Sequence, residues 1–242
     1  MKSLLIIIAV ASACLSGMAS PPQQMLIAKS AAAASSNWWE AGGATGTVAA
    51  YQAKSSTDRT VANFAASKVN LANPGTHDAT DGSAPSWSSG AGWSFNGSTY
   101  LVTDIQPTDG TWSVLMQVND ISGSQLMLFG VFNGSSNDFI VQADFSSQVY
   151  YGNGSGVATA PAFASPGNIG FAGLTALRNG ASDGTISGGG YSPVAQGIYI
   201  GGANNGGGMA FGATYKCTAF AIWNNTLTSG QYTAVAAAMA GL

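Results

Sequence analysis

The feature that most constrains the fold is a succession of short apolar segments bounded by glycine, asparagine or serine. Segments of this kind include TVAAYQ, TWSVLMQV, DFIVQADF and YKCTAFAIW. In residues 111–118 the alternation places four apolar side chains on one face, those of Trp112, Val114, Met116 and Val118. A period of two favours strands. Roughly nine to eleven such segments with no helix between them predict an all-β, antiparallel two-sheet sandwich.

Composition agrees with a packed β domain and excludes one class of partner. The chain has 242 residues, of which 33 are glycine, 46% are apolar and only 7% are charged. This length suits one large β domain with a sizeable core. The seven lysines and arginines are scattered and the net charge is -3. Because binding to phosphates requires clustered cations, we expect no nucleic-acid partner.

The N-terminus has the layout of a secretory signal, with one lysine, an apolar run and then small residues in MKSLLIIIAVASACLSGMAS. The run is shorter than the roughly 20 residues of a membrane span, so we expect no stable span once a signal is removed. An apolar arm that stays attached is the alternative, and a start at Met25 would remove the signal. We therefore predict a signal or arm at 1–19, an Ala/Ser-rich linker at 20–46 and one domain at 47–242.

Two local signals predict a hairpin and a helix. Asn96-Gly97 lies between two strand-like pieces of residues 92–103, and this dipeptide is a strong hairpin signal. Near the C-terminus, Thr228 and Gln231 have the spacing of a capping box. Helical spacing then predicts one apolar face that ends before Gly241 and comprises Tyr232, Val235, Ala236 and Met239.

The order of these motifs resembles that of a known family. NLANPGTHDATDGSAPSW, GWSFNGSTYLVT and AFAIWNNTLTSGQYTAVAAAM are similar to stretches of the concanavalin A-like lectin/glucanase superfamily, and above all of its laminin-G-like (pentraxin-like) modules. The first two of these stretches also resemble modules from tailed-phage and environmental viral genomes, often among virion or tail-associated genes. The resemblance covers roughly residues 47–240. It implies a jelly roll whose relatives bind glycans or proteins, in some cases with Ca²⁺, while other relatives are glycoside hydrolases.

We predict that the chain is not an enzyme. Glycoside cleavage ordinarily needs two carboxyl groups, which the superfamily's hydrolases carry as glutamates in an E-x-D-x-E strand. This chain has a single glutamate, Glu40, which precedes the predicted domain. The one histidine, His77, has no metal-ligand partners at zinc-site spacing, so we interpret it as a loop residue.

Aspartates in the loops make a calcium site a hypothesis, because Ca²⁺ takes carboxylate and carbonyl oxygens. The predicted ligands are Asp78, Asp81 and Asp104, with Asn73 nearby; a second cluster comprises Asn133, Asn137 and Asp138. The alternative is structural, since Asp and Asn are favoured turn residues that bond to their own backbone.

A glycan site needs aromatic surface with a few amide or hydroxyl groups. The candidate ligand-binding residues are Tyr150, Tyr151, Asn153, Tyr191, Asn204 and Asn205. Because neighbouring residues of a strand point to opposite faces, only one of Tyr150 and Tyr151 can face outwards.

These observations predict a non-catalytic, lectin-like jelly roll, secreted or displayed on a virion, that contacts carbohydrate or cell-surface ligands. The alternative is a structural virion protein, a decoration or tail component, that uses the fold only for contacts with other virion proteins. A homo-oligomer is compatible with either function.

Overall fold

The computed structural model describes residues 37–123, 126–133, 138–163, 165–188, 190–191 and 195–242. Within them lie three helices: a 3-10 helix at Trp38–Gly43, a short α-helix at Phe64–Ser67 and the C-terminal helix at Ser229–Ala240. All other regular elements of these residues are strands, numbered here along the chain.

The strands form two sheets. Sheet A has the order β13-β12-β11-β6-β17-β4-β3, and β1 also pairs with β17. Its strands are β1 Thr47–Gln52, β3 Ser86–Ser88, β4 Gly92–Asn96, β6 Ser113–Ser122, β11 Gly167–Ala172, β12 Thr175–Arg178, β13 Ala181–Thr185 and β17 Thr214–Trp223.

Sheet B has the order β10-β9-β8-β7-β14-β5-β2, and the β15–β16 hairpin attaches to β7. Its strands are β2 Thr80–Ser83, β5 Tyr100–Val102, β7 Leu126–Val131, β8 Asp138–Phe145, β9 Gln148–Gly154, β10 Gly156–Pro161, β14 Tyr199–Ile200, β15 Ala203–Asn205 and β16 Gly208–Ala210. Every pairing between named strands is antiparallel except the single β15–β7 pair.

The core lies between the two sheets. Because side chains alternate between the two faces of a strand, every second residue enters it. One row across sheet B points inwards and comprises Ala158, Tyr151, Val141, Phe129, Ile200 and Leu101. From sheet A, Val114 and Met116 of β6 and Phe220 of β17 face it. The prediction of an all-β, antiparallel two-sheet sandwich with one short C-terminal helix is confirmed.

Both faces of sheet A are buried along its central strands, such as β11. Its outer face carries Leu115 and Trp223, which pack against the C-terminal helix and the 3-10 helix in a second apolar cluster. The helix begins with the predicted capping box, in which the Thr228 hydroxyl accepts from the backbone N–H of Gln231 and the Gln231 side chain accepts from the backbone N–H of Thr228. The predicted apolar face, Tyr232, Val235, Ala236 and Met239, is the buried one.

The Asn96-Gly97 dipeptide does not close a hairpin, so that prediction is wrong. Strand β4 lies in sheet A and β5 in sheet B, so the turn carries the chain from one sheet to the other. The Asn96 side-chain oxygen accepts from the backbone N–H groups of Ser98 and Thr99, and Gly97 has a φ of 85°. This turn therefore connects two sheets and does not close a hairpin within one sheet.

The folded part of the chain begins before Thr47. Trp38 and Trp39, which we expected in the linker, are buried in the cluster beneath the C-terminal helix. The predicted signal or arm at 1–19 and most of the linker lie outside the described residues. No helix among the described residues is long and apolar enough to cross a bilayer.

Candidate functional site

The predicted ligand residues do not form one site. Tyr151 is fully buried, and its hydroxyl donates to Asp183 Oδ2 at 2.7 Å. Arg178 holds the same carboxylate oxygen through Nε at 2.8 Å. Because Tyr151 belongs to sheet B and the other two to sheet A, the group ties the sheets together. Burial, and then the hydrogen bond and charge of Asp183, raise the pKa of Tyr151 well above its usual range.

Asn153 and Tyr191 lie together but serve the loops around them. Asn153 is 2% exposed, and its Nδ2 donates to the carbonyls of Gly110 and Gly173 at 3.0 and 2.8 Å. The Tyr191 hydroxyl donates to the carbonyl of Pro107 at 2.8 Å. Burial first, and then the nearby Asp109 carboxylate, raise the pKa of Tyr191 to about 12.

The remaining candidates lie on sheet B. Asn204 closes the β15–β16 turn by donating to the Gly197 carbonyl and accepting from the Gly207 N–H, while Asn205 is exposed. Tyr150 lies half-buried, with its ring edge against that of Phe145. The structure therefore scatters the six predicted residues, and their part in ligand binding stays a prediction.

Each aspartate of the predicted calcium site has a partner within the protein. Asp78 accepts from the backbone N–H groups of Asn70 and Gly75. Asp81 pairs with Lys68 at 2.8 Å and Asp104 with His77 at 2.5 Å. Among the described residues no three His, Cys, Asp or Glu side chains come together as a metal site. In the second cluster Asp138 accepts from the Asn133 N–H, and Asn137 lies outside the described residues.

A cleft of about 550 Å³ lies between the outer face of sheet A and the C-terminal helix. We call it the helix-covered cleft. Its floor is a polar row that crosses neighbouring strands, with Thr218 on β17, Gln117 on β6 and Asn168 on β11, and Asn179 just beyond β12. The helix contributes the opposite wall, including Thr233, Ala236, Ala237, Met239 and Ala240.

Hydrogen bonding within the floor is incomplete. Asn168 is 3% exposed, and its Nδ2 donates to Gln117 Oε1 at 2.8 Å and to the Ala236 carbonyl at 3.0 Å. Its Oδ1 is buried and has no donor among the described residues. Gln117 Nε2 makes no hydrogen bond among them, but it is not one of the buried atoms that lack a partner. Buried polar atoms are rarely left without a partner, so Asn168 Oδ1 is the exceptional atom of this floor.

Lys54 is the one basic side chain among the described residues that line the cleft. Lys54 follows β1, and its backbone N–H donates to the Thr218 carbonyl at 3.2 Å, which holds it at the wall. No aspartate or glutamate is among the described residues that line the cleft. The site therefore combines amide groups, hydroxyl groups and one cation.

The sequence alone does not reveal this cleft, although it contains a weak signal. Gln117, Asn168 and Thr218 each interrupt an apolar strand, in VLMQV, GNIGF and KCTAF. A polar residue at a buried strand position requires partners. The sequence does not tell which strands lie side by side, so the three interruptions could not be joined.

Comparison with known proteins places the fold among solved structures. No protein-family model and no curated protein matches the sequence. Among solved structures, a mutant of Trypanosoma rangeli sialidase displaying trans-sialidase activity is 15% identical, with a TM-score of 0.54 over 81% of this chain and 34% of that one. Trypanosoma rangeli sialidase in complex with 2,3-difluoro-KDN is also 15% identical, with a TM-score of 0.55 over 78% and 32%.

The chain thus spans about a third of the length of these sialidases. At such identity the likeness shows the fold alone, an all-β sandwich. The finer assignment to the concanavalin A-like superfamily stays a prediction.

The prediction that the chain is not an enzyme is contradicted by this comparison, because solved structures of sialidases, which are enzymes, share its fold. That prediction rests on the need for two carboxyl groups, which the superfamily's hydrolases carry as glutamates. That requirement fits most glycoside hydrolases but not all, since sialidases use a tyrosine nucleophile. The scarcity of glutamate therefore does not exclude glycoside hydrolysis.

Proposed function

We propose that the chain binds carbohydrate in the helix-covered cleft. The observation that carries the proposal is the buried Asn168 Oδ1 without a donor among the described residues, in a polar floor that it shares with Gln117. A sugar hydroxyl can donate to an amide oxygen and accept from an amide nitrogen, the groups that this floor offers. The uncharged polar floor supports the same class of ligand, because neutral polyols are recognised by a few placed amides and hydroxyls.

One of the solved structures with a similar fold was determined with a bound carbohydrate. Trypanosoma rangeli sialidase in complex with sialic acid shares the fold, with a TM-score of 0.52 at 14% identity. The likeness at this identity does not carry the ligand over. The side chains of the helix-covered cleft support the proposal independently.

A glycan array followed by calorimetry with the tightest glycan tests this function. Gln117→Met removes the open donor while keeping the side-chain length, and we expect affinity to fall about tenfold, the effect of losing one or two hydrogen bonds. Gln148→Met, an exposed glutamine on sheet B, is the matched control and should bind normally. Absence of binding across the array, or equal affinity for both variants, would overturn the proposal.

For the place of action we propose the cell exterior or a virion surface. The support is the sequence of residues 1–19, an apolar run after a lysine with small residues following. Intact-mass measurement of the protein expressed from its full sequence tests this. Loss of roughly the first 19 residues is the expected result for a cleaved signal.

An assembly function is a second candidate, favoured by exposed aromatic side chains. Phe145 and Phe211 are 45% and 47% exposed, and their rings lie edge-on against Tyr150 and Phe132. Clustered exposed apolar side chains often mark protein contacts. Sedimentation velocity tests this: an oligomer that dissociates on Phe145→Ser with Phe211→Ser would support assembly, and a monomer at all concentrations would contradict it.

A further inference from the structure

Lys54 differs from the other cations whose partners the structure shows. Lys68, Arg178 and Lys216 each pair with an aspartate, at 2.8, 2.7 and 2.6 Å. Lys54 makes no ion pair within the described residues, although it is half-buried. A lysine that gives up part of its hydration without a counter-charge is available to an anion from outside the protein.

Lys54 lies beside the polar row of the cleft. The backbone N–H groups of Ala53 and Lys54 both donate to the Thr218 carbonyl, at 2.9 and 3.2 Å, so the lysine begins beside the polar row. On that row follow Gln117 and Asn168, whose side chains bond to each other while Asn168 Oδ1 lacks a donor among the described residues. The lining of the cleft thus combines one lysine with amide side chains.

From this arrangement we infer that the saccharide taken by the helix-covered cleft is acidic, with a carboxylate or sulfate that pairs with Lys54 while its hydroxyls meet Gln117 and Asn168. This inference rests on the proposed function. A charge-assisted hydrogen bond in a partly desolvated cleft is about twice as strong as a neutral one. The amides bind the sugar hydroxyls, and Lys54 favours a negatively charged saccharide over a neutral one.

Methyl β-D-glucuronide and methyl β-D-glucoside are suitable probes, because they differ only in a carboxylate in place of a hydroxymethyl group. We expect calorimetry to show about tenfold tighter binding of the glucuronide, with the preference weakening as salt is added. Glucose 6-sulfate tests which anion the site accepts. A site for any anion would bind it as tightly as the glucuronide, and a site specific for carboxylate would bind it more weakly. Either result agrees with an acidic saccharide.

Lys54→Met should abolish the preference, and Lys54→Arg should retain it. Lys216→Met is the control, since Lys216 is exposed and already paired with Asp120 on the neighbouring strand; it should keep the preference. Equal affinity for the two glycosides in the native protein, or a preference that survives Lys54→Met, would overturn this inference and leave carbohydrate binding intact. Failure of both glycosides and of every glycan on the array would overturn the proposed function together with it.

Discussion

Tyr150 and Tyr151 are neighbours in β9, and the strand points them in opposite directions. Alternation along the strand allows only one of the two to face outwards but does not tell which. Tyr151 points into the core, where its hydroxyl reaches the Asp183 carboxylate held by Arg178. The adjacent ring, Tyr150, is the half-exposed one.

The first prediction concerns Tyr151. Tyr151→Phe removes the hydrogen bond between the sheets and leaves a partly buried carboxylate with one partner fewer. We expect the free energy of unfolding in urea to fall by about 1–3 kcal/mol. Tyr150→Phe is the control, because the Tyr150 hydroxyl makes no hydrogen bond within the described residues. Equal stability of the two variants would show that the buried bond contributes nothing.

We expect the Tyr191 hydroxyl to ionise at a higher pH than an ordinary tyrosine. Burial and the charge of Asp109 raise its pKa to about 12 from the ordinary value of 10.0. The neutral phenol is favoured in the folded state, so its contribution to stability is complete below pH 10 and is lost as pH rises through 12. The ultraviolet absorbance of phenolate, compared between the native protein and Tyr191→Phe, measures this. A difference centred near pH 10 would contradict the prediction.

At the scale of elements, the C-terminal helix has two roles: it buries the outer face of sheet A and covers the cleft. Its start is determined locally by the capping box. Its position depends on the apolar face that packs on Trp223 and on Leu115. If the cleft binds carbohydrate as proposed, stability and binding are linked through this helix.

Removing the cap tests that link. Thr228→Ala should lower the free energy of unfolding by about 1 kcal/mol, since the N–H group at the third helical position loses its acceptor. We expect glycan affinity to weaken as well, because the helix forms one wall of the cleft. Ser229→Ala, an exposed neighbour without a capping role, is the control. Unchanged melting of Thr228→Ala in thermal denaturation would contradict the expectation.

The turn between β4 and β5 is a second element-scale test. Gly97 has a positive φ of 85°, and a Cβ there would meet its nearest neighbour at an ordinary 3.5 Å. Gly97→Ala should therefore destabilise through backbone strain alone, by about 1 kcal/mol. At Gly90 a Cβ meets open space and φ is not positive, so Gly90→Ala should be neutral or slightly stabilising. Urea denaturation of both variants decides this.

At the scale of the whole molecule, metal binding would appear as a change in global stability. A ligand that binds only the folded state raises the melting temperature. Because Asp78, Asp81 and Asp104 each hold a partner within the protein, we expect the same melting temperature in calcium and in EGTA. A higher value in calcium that Asp81→Asn removes would instead support the predicted site.

The fold class and the terminal helix could be derived from the sequence because both are local patterns. Alternation over six to ten residues specifies strands such as β6 and β17, and the Thr228–Gln231 spacing specifies a helix start. Partners of strands are not local. The Asn96-Gly97 turn looks the same whether the next strand returns to its own sheet or crosses to the other.

By itself, then, the sequence determined an all-β sandwich, the residues that face its core and the cap of its last helix, because each depends on neighbours along the chain. Only the tertiary structure decided that Lys54, Gln117 and Asn168 share one cleft beneath that helix. It also decided that Tyr151 and Asn153 are buried supports. These outcomes depend on which strands lie side by side, and pairing between distant strands is set by long-range packing that no local pattern encodes.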